Sequence, residues 1–83
     1  MSYKIIWDKK ALDFFNKLQP VLCRRIFKKI GELRQDPFSK DIKRLKGEKA
    51  FRLRIGDYRV IFDINIKNRV IIILRLGHRK NIY

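Results

Sequence analysis

Arginine recurs at alternate positions in one short stretch of the chain, where it could bind a phosphate group. Arg52 and Arg54 lie in FRLRI, residues 51–55, and Arg59 follows in YRVIFD, residues 58–63. A guanidinium presents a planar fork of N–H donors that matches the oxygens of a phosphodiester. Three such groups on one rigid surface would therefore favour phosphodiester binding.

Both arginine segments are predicted to be strands of one β-hairpin, because apolar residues alternate on either side of Gly56-Asp57. With a two-residue loop, Arg54 lies directly opposite Arg59, and the arginines share one face while apolar residues line the other. Like charges that face each other across a strand pair cost about 0.2–1 kcal/mol, and a bound anion would remove this cost. Alternatively, the long side chains only cover a solvated sheet face. The hairpin alone does not decide between the two interpretations.

The composition indicates one small, strongly basic domain spanning residues 1–83. Its net charge of +14 would attract nucleic acid, a ribosome-like surface or an acidic protein. Hydrophobic residues make up 46% of the chain, which is enough to build a core. Cys23 and His78 are each the only residue of their kind, which excludes an internal disulfide and a multi-histidine metal site. The sequence shows no signal peptide and no membrane-spanning segment, so we expect a cytoplasmic protein.

The rest of the chain predicts helices and further strands. Residues 3–7, YKIIW, favour a strand, and Asp8 is a candidate N-cap for a helix that ends before Pro20. A second helix should run from Pro20 to about Gln35. Residues 69–76, RVIIILRL, are apolar on both faces, which favours a central strand of undetermined register. We therefore predict an α+β fold in the order β-α-α-β-β-β, with the first strand and the helical hairpin on one face of a mainly antiparallel sheet.

The second helix has a cationic outer face formed by Arg24, Arg25, Lys28, Lys29 and Arg34. A solvated surface or a docking face for a partner explains such a run of charge better than catalysis does. The phenylalanines of the helical region are expected in the core rather than stacked on bases; they are Phe14, Phe15 and Phe27.

Further basic residues would extend the positive field around the hairpin. Residues 38–49 are predicted to form a basic segment that connects the second helix to the sheet, and a basic tail follows Gly77. In a three-stranded meander Arg59 and Gly77 would be neighbours, so the tail would begin beside the arginines. It could be a frayed terminus instead. The candidate RNA-binding residues are Lys43, Arg44, Lys46, Lys49, Arg75 and Lys80.

Several short motifs occur in a characteristic order: L-x-G, F-R-L-R, G-D-Y-R and a closing G-H-R-x-x-I-Y. Together with YKIIW and the helical hairpin, they resemble the RelE branch of the RelE/ParE toxin superfamily over essentially all 83 residues. The resemblance implies an mRNA interferase that enters the A site of the 30S ribosomal subunit, beside the 16S rRNA, and cleaves mRNA there. It also implies a RelB-like antitoxin as partner and cleavage without a metal or other cofactor. In that reaction the 2′-hydroxyl attacks the adjacent phosphate and leaves a cyclic phosphate and a 5′-hydroxyl end.

The resemblance also implies roles for individual residues. Arg52 and Arg54 occupy the positions of a phosphate stabiliser and a proton acceptor, and Arg59 that of an arginine which grips the phosphate. Arg79 matches an arginine that stabilises the transition state and is a candidate donor to the leaving oxygen. Tyr83 matches a tyrosine that stacks on the nucleotide.

The proton acceptor is the weak point of this assignment. The best-known members carry lysine where this chain has Arg52 and Arg54, and arginine stays protonated in proteins. His78 is a candidate for the role, because histidine exchanges protons near neutral pH and some relatives use histidine or glutamate. A histidine in a tail can equally be a plain surface residue.

Two other functions are compatible with the same sequence. A ParE-like toxin of the same fold would inhibit DNA gyrase without nuclease chemistry, and a basic module could bind nucleic acid without cleaving it. Converging arginines and a stacking ring favour the interferase. The lack of an evident proton acceptor is compatible with a module that binds nucleic acid without cleaving it.

Overall fold

Alternating apolar residues, helix caps and turn residues divide the chain into seven elements within the described residues. The structure, a computed structural model, describes residues 2–39, 41–47 and 49–82. The elements are β1 (Lys4–Trp7), α1 (Lys9–Asn16), α2 (Pro20–Gln35), β2 (Ile42–Arg44), β3 (Phe51–Ile55), β4 (Tyr58–Asn65) and β5 (Val70–His78).

Both predicted helices are confirmed. The Asp8 carboxylate caps α1 by accepting a hydrogen bond from the Lys10 amide at 3.1 Å. Pro20 begins α2, where its missing N–H costs nothing. Neither helix of the described part of the chain is long and apolar enough to cross a membrane.

The sheet confirms the α+β prediction and adds one strand to it. The first strand is an edge strand of the sheet, and only the helical hairpin packs on one face. The strand order is β1-β5-β4-β3-β2, with β1 parallel to β5 and the other neighbours antiparallel. β5 therefore lies inside the sheet, as predicted. The connector prediction for residues 38–49 missed β2, a three-residue edge strand paired with Phe51–Leu53, which is too short to show a period.

A β-bulge sets the register of β5. Ile61 pairs with Arg75 and Phe62 pairs with Ile73, so Leu74 is an extra residue between them. The bulge shifts the alternation by one position, and this is why Ile73 and Leu76 are both buried while Arg75 lies on the opposite face. No single alternation of faces therefore holds along the whole strand, whose register the sequence left undetermined.

The core lies between the helices and one face of the sheet. It is formed by α2 residues Ile26, Ile30 and Leu33 against strand residues that include Val60 and Phe62. The prediction that Phe27 is a core residue is wrong, because its side chain lies beside this narrow stripe and is 69% exposed. Phe14 is likewise exposed, whereas Phe15 packs against the core and the Trp7 ring. The other sheet face is left for the arginines.

Candidate phosphate-binding site

The hairpin of β3 and β4 has the predicted register. Arg54 lies directly opposite Arg59, and Arg52 opposite Ile61. Leu53 and Val60, the pair next to Arg54 and Arg59 on the side away from the turn, are buried in the core. Because neighbouring residues of a strand point to opposite faces, the three arginines share the face away from the helices. We call this surface the arginine face.

A cleft of about 460 Å³ opens where the arginine face meets the turn of the hairpin. The predicted position of the tail is confirmed here, since Gly77 of β5 pairs with Arg59. Two residues later, the Arg79 amide donates a hydrogen bond to the Asp57 carbonyl at 2.8 Å. The residues that line the cleft are Arg25, Lys29, Asp41, Arg54, Ile55, Gly56, Asp57, Arg59 and Arg79.

Two backbone carbonyls hold the Arg59 guanidinium in one orientation. Its Nη1 donates hydrogen bonds to the carbonyl of Gly56 at 2.8 Å and to that of Tyr58 at 2.9 Å. Its Nε is buried and has no hydrogen-bond partner within residues 2–39, 41–47 and 49–82. A buried donor that lacks an acceptor is costly. A preoriented guanidinium can stabilise charge on a phosphate with little reorganisation.

Two carboxylates accompany the other arginines of the cleft. Arg54 Nη2 lies 3.5 Å from a carboxylate oxygen of Asp41, and Arg79 Nε lies 3.9 Å from one of Asp57. All four side chains are partly or largely exposed to solvent, where ion pairs contribute little stability. Each ion pair uses a single nitrogen of a guanidinium that carries five N–H donors, so Arg54 and Arg79 could bind a phosphate through their other donors.

Sequence analysis missed two cations that α2 contributes to the cleft. Arg25 and Lys29 were assigned to a solvated or docking face of the helix, yet both line the cleft. The Arg25 guanidinium lies against Gly56, since a Cβ added at that glycine would approach Arg25 Nη2 to 2.9 Å. Gly56 also has a φ of +58°, which favours glycine. No local pattern could predict this contact, because it joins residues 31 positions apart.

Arg52 lies further along the arginine face and does not line the cleft. Lateral strand pairing places Lys43, Arg52, Ile61 and Arg75 in one row across β2, β3, β4 and β5. Lys43 and Arg75 are exposed. The row continues the positive surface away from the turn, as an RNA backbone that leaves the cleft would require.

The other candidate RNA-binding residues are more scattered. Arg44, Lys46 and Lys49 line a separate depression of about 570 Å³. Arg44 pairs with Phe51, so this depression lies at the end of β3 farthest from the cleft. Lys80 is exposed and follows β5.

The structure does not bring His78 into the cleft. His78 pairs with Tyr58, one position before the Arg59–Gly77 pair, and therefore lies on the opposite face of the sheet. The two rings contact edge to face with centroids 5.4 Å apart. His78 Nδ1 accepts a hydrogen bond from the Lys80 amide at 3.2 Å. Tyr83 lies outside the described residues.

Known toxins match the chain along almost its whole length. A family model described as the ParE toxin of type II toxin–antitoxin systems, parDE, matches residues 5–83. The provisionally named toxin RelE1 of Methanocaldococcus jannaschii is 32% identical over 87 residues, which cover 100% of this chain and 97% of the relative.

Two solved toxin–antitoxin complexes contain a chain of the same fold. The archaeal RelE–RelB complex from Pyrococcus horikoshii aligns with a TM-score of 0.85 and 31% identity, over 98% of this chain and 99% of that one. The RelBE2 complex from Mycobacterium tuberculosis aligns with a TM-score of 0.84 and 27% identity, over 95% and 100%.

Proposed function

The chain belongs to the RelE/ParE family of toxins from type II toxin–antitoxin systems, and we propose that it is an endoribonuclease that cleaves mRNA in the ribosomal A site. One observation carries the proposal. Arg54, Arg59 and Arg79, from three different strands or their ends, line one cleft, and Arg59 is already oriented by two backbone carbonyls. A protein that only inhibits another protein has no evident need for such a cluster.

The cleft supplies what cleavage by a 2′-hydroxyl group requires. In-line attack adds negative charge to the phosphate oxygens, and one fixed donor directed at such charge is typically worth about a hundred- to a thousandfold in rate. In our proposal Arg59 grips the phosphate, Arg54 stabilises its charge, and Arg79 lies at the leaving oxygen. Arg52, outside the cleft, would bind the RNA backbone beyond it. Tyr83 would stack on the nucleotide, a role that rests on the family resemblance.

We further propose that a RelB-like antitoxin holds the toxin inactive. The Pyrococcus and Mycobacterium chains were solved as complexes with such antitoxins. The net charge of +14 favours an acidic partner that covers the positive surface. The antitoxin and the ribosome would then compete for the same face.

A gyrase inhibitor is the second candidate, and one observation favours it. The family model that matches residues 5–83 is described as a ParE toxin. The arginine cleft would then serve in binding only, and the toxin would leave messages intact.

Mapping of RNA 5′ ends on translating ribosomes separates these functions. We expect the wild-type protein to cut messages at the A-site codon, and Arg59→Ala or Arg79→Ala to slow cutting at least a hundredfold, because each removes a charge at the phosphate. Lys67→Ala is the matched control, since it removes one exposed positive charge from the turn between β4 and β5.

Circular dichroism and urea unfolding would show that the variants are folded. Intact message together with inhibited DNA supercoiling would select the gyrase inhibitor. Intact message and normal supercoiling would select an inactive binding module.

A further inference from the structure

We propose that Asp41 is the catalytic base that accepts the proton of the attacking 2′-hydroxyl, an inference that rests on the proposed ribonuclease function. The reaction requires a proton acceptor, and arginine stays protonated in proteins. The cleft therefore needs a group of another type. Its described lining contains Lys29, which forms an ion pair with Glu32 at 3.9 Å, and the carboxylates of Asp41 and Asp57. Of these groups, only an ionised carboxylate is an acceptor without first losing a proton.

Asp41 is anchored to the arginine hairpin at two points. Its carbonyl oxygen accepts a hydrogen bond from the Arg54 amide at 3.2 Å, and its carboxylate lies 3.5 Å from Arg54 Nη2. The residue lies immediately before β2, which pairs with β3. Arg54 thus positions the carboxylate beside the arginine face as well as contributing its own charge.

The two arginines that pair with these carboxylates lie on either side of the strand that carries Arg59. Arg54, with Asp41, is on β3, whereas Arg79, with Asp57, follows the end of β5, and β4 with Arg59 lies between these strands. In-line displacement places the attacking and leaving oxygens on opposite sides of phosphorus. With the phosphate on Arg59, one ion pair faces the attacking oxygen and the other faces the leaving oxygen.

The lower solvent exposure of Asp41 makes it the better candidate for the base at the attacking 2′-oxygen. Its side chain is 29% exposed and that of Asp57, at the tip of the turn, is 69% exposed. A base is effective only when it is held within hydrogen-bond reach of the proton that it removes. His78 does not compete for the role, because it lies on the opposite face of the sheet and its Nδ1 already accepts a hydrogen bond.

The Asp41 carboxylate takes the 2′-hydroxyl proton while the 2′-oxygen forms a bond to phosphorus. The bond from phosphorus to the 5′-oxygen breaks, which leaves a 2′,3′-cyclic phosphate. The 5′-oxygen takes a proton from water beside the Arg79 guanidinium, and Asp41 returns its proton to solvent.

Single-turnover cleavage on mRNA-programmed ribosomes tests the assignment with Asp41→Asn, which keeps the shape of the side chain and removes the base. We expect the cleavage rate constant to fall about a hundred- to ten-thousandfold, with affinity for the ribosome changed less than about threefold. Asp41→Glu, which retains a carboxylate, should recover part of the rate. Asp13→Asn removes an equal charge from the exposed surface of α1 and should leave the rate unchanged.

The pH dependence separates a base from a residue that only positions Arg54. In the wild-type protein Asp41 accepts the proton, so the rate should depend little on hydroxide concentration near neutral pH. In Asp41→Asn hydroxide must replace the base, and the rate should rise about tenfold per pH unit. If Asp41 only positions Arg54, the rate of Asp41→Asn should be lower, but its pH profile should be as flat as that of the wild-type protein.

Two results would overturn the inference. They are an unchanged rate in Asp41→Asn and a flat pH profile in that variant. A large loss in Asp57→Asn together with the first result would assign the role to Asp57 instead. Failure of the wild-type protein to cleave would instead refute the proposed function itself.

Discussion

At the scale of single residues, the cleft depends on how neighbouring backbone groups hold each cation. Arg59 is bound to two carbonyls of its own turn, and one of them belongs to Gly56. The missing side chain of Gly56 also gives the Arg25 guanidinium its place against the turn. One glycine therefore supports two of the cations that line the cleft.

Gly56→Ala should weaken function more than stability. Both Gly56 and Gly47 have positive φ angles, so alanine at either should cost about 1–2 kcal/mol of unfolding free energy. Only at Gly56 would the new Cβ displace Arg25, and nothing lies within 4 Å of a Cβ at Gly47. The displaced group is the end of a flexible side chain, so the extra loss of stability should be small.

Urea unfolding and A-site cleavage of the two variants measure these effects. Gly47→Ala is the control for backbone strain, and Arg25→Ala isolates the displaced cation. Equal cleavage by Gly56→Ala and Gly47→Ala would show that the Arg25 contact has no part in function.

At the scale of elements, individual helices and strands depend on caps, bulges and packing for their stability. α1 has only eight residues, and isolated helices of that length are unstable in water. Its stability comes from the Asp8 cap and from packing of residues such as Ala11 and Phe15 against the core. The bulge at Leu74 has a comparable effect in β5, since it keeps both Ile73 and Leu76 in the core.

Asp8→Ala should lower the unfolding free energy by about 1 kcal/mol, because it leaves the Lys10 amide without its acceptor. Asp13→Ala is the matched control, since Asp13 is an exposed residue inside the same helix and should cost less than about 0.5 kcal/mol. Urea denaturation of both variants measures the difference. If the two losses are equal, the cap does not contribute to stability.

At the scale of the whole molecule, the two faces of the sheet differ in their environment. The helices cover one face of the sheet, and the other carries the arginine face with the row of Lys43, Arg52 and Arg75. The net charge of +14 gives long-range attraction to RNA without selecting a sequence. If the proposed ribonuclease function holds, any preference for particular codons must therefore come from contacts near the cleft.

Lys43→Ala should reduce the salt dependence of RNA binding, because Lys43 lies beside Arg52 on the arginine face. Each contact to a single-stranded phosphate contributes about 0.7 to the slope of log K against log salt concentration, so the slope should fall by roughly that amount. Lys67→Ala, at the far end of β4, should leave the slope unchanged. Titrations of ribosomes or RNA at several salt concentrations decide the point, and equal slopes for the two variants would refute the role of Lys43.

The sequence by itself determined the parts of this protein that depend on neighbours along the chain. Alternation around Gly56-Asp57 predicted the hairpin and its register, and Asp8 and Pro20 marked where the two helices begin. These features come from periodicity, capping and turn geometry, which act over a few residues.

Only the tertiary structure decided which groups share the cleft. Arg25 reaches Gly56 across 31 positions, Asp41 reaches Arg54 from outside the hairpin, and His78 turns to the opposite face. The bulge at Leu74 likewise appears only when β5 pairs with β4, because a strand that is apolar on both faces carries no register of its own. Contacts between distant segments follow from packing, and no local pattern contains them.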